Sequence, residues 1–216
     1  MAEARPRRLL ATLLARFDGA VLRVAPPGRP SPSLGMPSAA QRTQWAPLQS
    51  WCLQGAEGGR SSQIKLSVAV WNAEPSSPQE VLVEAFSRHL DGSHQLLAAG
   101  GAFAGLWLRL WVKACDVAWW RPRHSTDPWD CGYVVDEPAV REALVRFSPR
   151  RATFMVALNW PEPALREVVK QLAQSSAQWV HPVRWLVVQR RNPSQGAPAC
   201  LAGLPVERLQ PLDTER

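Results

Sequence analysis

The sequence predicts an α/β fold in which strands and helices alternate to build a largely parallel or mixed sheet. Two observations carry that expectation. From Cys131 to Arg190, short apolar runs alternate with helical patterns of ten or more residues, which is the signature of βαβ units. Upstream, SSPQEVLVEAFSRHLDG holds a full set of helix boundary signals: Ser77 as N-cap, Pro78 at the first helical position, Glu80 closing a capping box, and Gly92 beyond the end.

In chain order, Leu9, Leu10, Leu13, Leu14 and Phe17 form one helical stripe near the N-terminus. The apolar residues before Arg16 are too few for a secretory signal, so a packing helix is expected, with an organelle-targeting helix as the alternative in a eukaryotic source. AVLRVA, Ala20 to Ala25, reads as a short strand. The five prolines from Pro26 to Pro37 make the next stretch a loop. Ala39 to Gln54 carries Trp45, Leu48, Trp51 and Leu53 and predicts a short helix on the core. A strand is expected over Gln63 to Asn72, with Ile64, Leu66, Val68 and Val70 on one face and Lys65, Ser67, Ala69 and Trp71 on the other.

After the capped helix, LWLRLWVK alternates again: Leu106, Leu108, Leu110 and Val112 on one side, Trp107, Arg109, Trp111 and Lys113 on the other. This predicts a half-buried strand. Then follow strand GYVVD, helix Pro138 to Phe147, strand ATFMVALN, helix Glu162 to Gln174 with Leu165, Val168, Val169 and Leu172 in register, and strand VRWLVVQR. The expected organisation is an extension over 1–62 (helix plus proline-rich loop), an α/β core over 63–190 and an irregular tail over 191–216. No internal repeat is present.

A parallel sheet covered by helices on both faces reads as nearly continuous apolar strands, and the stretch from Leu106 to Lys113 does not. An open-faced two-layer sheet is therefore favoured over a three-layer one. The order of elements is also similar to a RecA-like core without its nucleotide loop, as in regulatory or accessory relatives of recombinases. No motif carries that similarity, so it stands only as the alternative architecture.

The 216 residues are 46% hydrophobic and 20% charged, the balance of a globular domain. The net charge of +7 and pI near 10.0 favour polyanionic partners. Of the 25 basic residues only 3 are lysine, and 11 tryptophans stand beside a single tyrosine, a bias that GC-rich coding would produce by itself. Placement, more than content, has to argue function. Cys52, Cys115, Cys131 and Cys200 form no CxxC pair, which disfavours a zinc site or a disulfide framework and points to a reducing interior. The longest apolar run, ending near Arg109, is too short for a bilayer span. A soluble intracellular protein is expected, cytoplasmic, or nuclear or organellar in a eukaryote, with no membrane partner.

GYVVDEP resembles the strand that presents a magnesium-binding carboxylate in nucleotide hydrolases. The phosphate cradle GxxxxGK[ST] is missing, however, so Asp136 is expected instead to cap the following helix. GGAFAG, Gly100 to Gly105, precedes a strand and reads as a turn. RHSTDPWDC gathers His124, Ser125, Asp127, Asp130 and Cys131, a set from which a metal-dependent hydrolase could be built if the loop lay at the carboxyl end of a parallel strand. Turn chemistry explains the same residues. His89, His94 and His181 have no partner in sequence.

The leading expectation is a non-enzymatic nucleic-acid-associated protein. Trp107, Arg109, Trp111 and Lys113, joined by Lys65 and Trp71, would stack bases and neutralise phosphates on one exposed strand face. The same residues buried under a helix would be core. The alternatives are a protein-interaction or regulatory subunit of a larger assembly, and a hydrolase using the 123–131 loop. No cofactor and no metal are expected.

Overall fold

A computed structural model describes residues 19–23, 25, 38–54, 64–72, 79–94, 106–107, 110, 127–189 and 206–208. The elements are α1 (Ala39–Gln44), α2 (Ala46–Leu53), β1 (Leu66–Asn72), α3 (Gln79–Leu90), β2 (Asp130–Val134), α4 (Pro138–Val145), β3 (Thr153–Leu158), α5 (Glu162–Ser176), β4 (Val183–Gln189) and β5 (Val206–Arg208). The strands form one sheet in the order β2-β3-β4-β1-β5, and every pairing between them is parallel. The fold is α/β, as the alternation predicts.

The expected elements between 131 and 190 appear with their ends moved by a few residues. The tail differs. Val206–Arg208 pairs with Val68–Val70, so this part of the chain closes one edge of the sheet and is not irregular. The expected strand at Ala20 to Ala25 is reduced to one antiparallel bridge, in which Arg23 and Tyr133 exchange N–H···O bonds of 2.9 and 2.8 Å.

Side chains are buried on both faces of the sheet. On one, Val68, Val70, Met155, Ala157, Trp185 and Val187 pack with Val140 and Leu144 of α4 and Leu165, Val168, Val169 and Leu172 of α5. On the other, Ala69, Trp71, Phe154, Val156, Leu186 and Val188 pack with Leu48, Trp51 and Cys52 of α2 and Leu82, Val83, Phe86 and Leu90 of α3. Period-two alternation thus assigns each strand residue to a face, and helix residues pack with both sets.

Local chemistry explains the helix limits. Ser38 and Gln41 form the capping box that opens α1, with Gln41 N–H donating to Ser38 Oγ at 3.2 Å and Ser38 N–H to Gln41 Oε1 at 2.9 Å. The single helix expected over 39–54 is divided at Trp45, because Pro47 has no N–H to continue the ladder and sits instead in the first turn of α2. Gly92 follows α3 with φ +80°, a left-handed conformation that glycine adopts without strain. Ser77 and Pro78 lie outside the described residues.

The helix after β2 corrects one expectation. Its N-cap is Glu137, in extended conformation with no side-chain cap bond, and Pro138 follows in the first turn. Asp136 does not cap; its carboxylate accepts from Arg141 Nε at 2.6 Å. Glu137 reaches Arg23 at 2.6 Å and ties the bridge segment to α4. An aspartate one residue too early finds a side-chain partner one helical turn on.

Gly132 marks the closest approach of that bridge. A Cβ there would stand 2.9 Å from Leu22 Cβ and 3.0 Å from the Arg23 carbonyl oxygen. Leu22 is buried and the bridge fixes Arg23, so neither retreats freely. Gly132→Ala is expected to destabilise the fold by about 1–3 kcal/mol through overpacking. Urea unfolding reads it; an unchanged midpoint would mean that the 19–23 segment does not hold this position in solution.

Candidate functional site

Of the six residues expected to share one exposed face, Lys65, Trp71 and Trp107 lie among the described residues, and Arg109, Trp111 and Lys113 lie outside them. The structure does not bring the described three to one face. Trp71 is 1% exposed, in the core beside α2 and α3, so its ring offers no surface for a base. Lys65 is half-buried ahead of the amino end of β1, with Nζ donating to the Val180 carbonyl at 3.3 Å, and burial pulls its pKa below the ordinary lysine value. Five strand residues, Leu66 to Val70, lie between it and Trp71, a rise of roughly 20 Å.

Trp107 is the exposed member, at 70%. It is helical, as are Leu106 and Leu110, so the strand expected over Leu106 to Lys113 is not formed at these positions. Leu106 and Leu110 are also exposed, and they lie four positions apart in sequence. A separation of four positions is compatible with a helix as well as a strand, so the alternation of leucine and tryptophan does not by itself distinguish the two.

The carboxyl ends of the strands form a second location. In open parallel sheets, ligands sit outside these ends where the strand order reverses. Here α4 and α5, which leave β2 and β3, pack on one face, and α3, which leaves β1, packs on the other, with β4 lying between β3 and β1 at these ends. Asn72 and Gln189 are register partners there. Gln189 is buried, and its Oε1 has no hydrogen-bond partner among the described residues. Asn159 follows β3 with φ 52°, and its N–H donates to the Val188 carbonyl at 2.9 Å. Asp136, at the end of β2, is engaged by Arg141. This rim is not among the candidate sites read from the sequence; polar residues that end otherwise apolar runs are the signal that could mark it.

The described part of the 123–131 loop, from Asp127 onward, leads into the amino end of β2, opposite to the ends where parallel sheets hold ligands. Asp127 and Asp130 are buried, and Cys131 is a buried free thiol on β2. His124 and Ser125 lie outside the described residues. No three His, Cys, Asp or Glu side chains come together to hold a metal among the described residues. Cys52 is buried against α2's neighbours; burial pushes its thiol far above the ordinary value, with Arg184 pulling weakly the other way. Such a thiol is inert as a nucleophile.

The histidines are not isolated, contrary to their spacing in sequence. His89 stacks on Trp45 with ring centroids 5.3 Å apart, and His94 lies 6.3 Å from His89. No helix among the described residues is long and apolar enough to cross a membrane.

The described residues define an α/β protein with an all-parallel sheet, on which Leu106, Trp107 and Leu110 are exposed. No known family model matches the chain, and no curated protein or solved structure matches it.

Proposed function

We propose that this protein is a protein-interaction subunit whose contact is centred on Leu106, Trp107 and Leu110, and that its partner presents an acidic rim around an apolar pocket. The observation that carries the reading is the exposure of the three side chains, at 52%, 70% and 55%, within five positions of the sequence. Tryptophan is the favoured anchor of protein interfaces, and large apolar side chains exposed together mark such contacts. The net charge of +7 supplies the complementarity to an acidic partner.

A nucleic-acid partner is the second reading, favoured by the exposure of Trp107 and by Arg109 and Lys113 following it in sequence. The two differ in their dependence on leucine and on salt. A leucine contributes to a protein pocket, whereas binding to single strands rests on stacking and on phosphate contacts that weaken steeply with salt.

Trp107→Glu and Leu110→Glu are each expected to leave unfolding free energy within about 0.5 kcal/mol of the parent, because both sites are exposed. Both are expected to abolish capture of one acidic partner, identified by mass spectrometry and then rebound in purified form. A single-stranded oligonucleotide titration is the control. Binding that is lost in Trp107→Glu, kept in Leu110→Ala and weakened steeply by salt would overturn the protein reading in favour of the nucleic-acid one.

A further inference from the structure

His89 and His94 meet beside the joint between α1 and α2. His89, in the last turn of α3, lies on the Trp45 indole with ring planes 21° apart. Trp45 is 1% exposed and also meets Phe86 of α3 at 5.8 Å, so this cluster holds the α1–α2 pair against α3. His94 is 5% exposed, and its Nδ1 has no hydrogen-bond partner among the described residues.

The charged side chains on α1, on α3 and on the described residues that follow it at 91–94 and 127–130 are Arg42, Glu80, Glu84, Arg88, Asp91, Asp127 and Asp130. Glu84 is engaged by Arg88 at 2.6 Å, and Asp91 Oδ1 accepts the Ser93 N–H at 2.7 Å. Burial, and then Arg42, holds His89 below the ordinary imidazole value. Burial, then His89 and Arg88, does the same to His94. Only neutral rings fit this arrangement well, because an imidazolium would be poorly hydrated and would face cations.

We propose that His89 and His94 form an acid-sensitive latch that keeps the α1–α2 pair on α3 at neutral pH and releases it on mild acidification. Above the ordinary histidine pKa both the closed and the released forms hold neutral rings, and the latch carries no penalty. As pH falls through that value, the released form binds protons that the closed form excludes, and closure weakens until pH reaches the depressed values of the closed form. Each unit of depression shifts the released-to-closed ratio up to about tenfold.

The experiment is amide exchange of the full chain, as protection factors corrected for intrinsic rates, at about pH 7 and about pH 5, the range in which histidine titrates. Residues 39–53 are expected to lose protection at the lower pH while β3 and β4 keep theirs. His89→Phe with His94→Phe, which keeps aromatic rings without protons to gain, is expected to flatten the difference. A parent chain in which 39–53 is equally protected at both values overturns the latch, whether or not the double variant folds. So does a histidine ring NMR titration with both midpoints at or above the ordinary value.

Discussion

Trp71→Ala is expected to lower the unfolding free energy by about 3–5 kcal/mol, as deletion of a large buried aromatic side chain does. The indole is 1% exposed and belongs to the core formed by β1, β3 and β4 with α2 and α3. Part of its cost is already present in the parent, because Nε1 has no hydrogen-bond partner among the described residues. Trp71→Phe removes that donor along with part of the ring, and is expected to cost clearly less than the alanine change. Urea unfolding of the two variants measures both. A stability close to the parent's in Trp71→Ala would place the indole on a surface and restore it as a candidate contact.

Arg184→Ala is expected to cost about 3 kcal/mol or more, since carbonyls that lose a charged donor in a buried site each cost on the order of 1–3 kcal/mol. The residue is fully buried on β4. Its Nη2 donates to the Gln54 carbonyl at 2.6 Å, and its Nη1 to the carbonyls of Ile64 and Val183 at 3.3 Å. Those contacts bind the end of α2 and the entry to β1 to the central strand. Arg184→Met, which fills the volume without donors, tests whether packing or hydrogen bonding matters more: a loss close to that of alanine is expected. Arg184→Lys is expected to recover only part, because one ammonium does not reproduce a planar fork. Wild-type stability in Arg184→Met would show that the guanidinium serves no structural end and is held buried for another reason.

The α/β class and the order of elements from 131 to 190 follow from local spacing along the chain. Leu165, Val168, Val169 and Leu172 fall on one helical face whatever surrounds them, and all four are buried in α5 as expected. Alternation likewise assigns Val68 and Val70 to one side of β1 and Ala69 and Trp71 to the other. Alternation does not say what covers a side. Because Lys65 shares its parity, Trp71 reads as part of the strand's polar side. Only the return of α2 and α3 over the sheet buries it, while Lys65 sits beyond the strand's amino end.

Tertiary structure also decided the features that rest on distant partners. The tail strand Val206–Arg208 is too short to be read from period and exists through its pairing with β1. Leu106, Trp107 and Leu110 satisfy strand and helix spacing alike, and so short a run has no local signal to separate them. The Trp45–His89 stack joins elements separated by the whole of β1. Asp136 stands one residue before the N-cap Glu137 and pairs with Arg141. Local propensity ranks what a residue can do; the packing of elements far apart in the chain fixes which neighbour it meets.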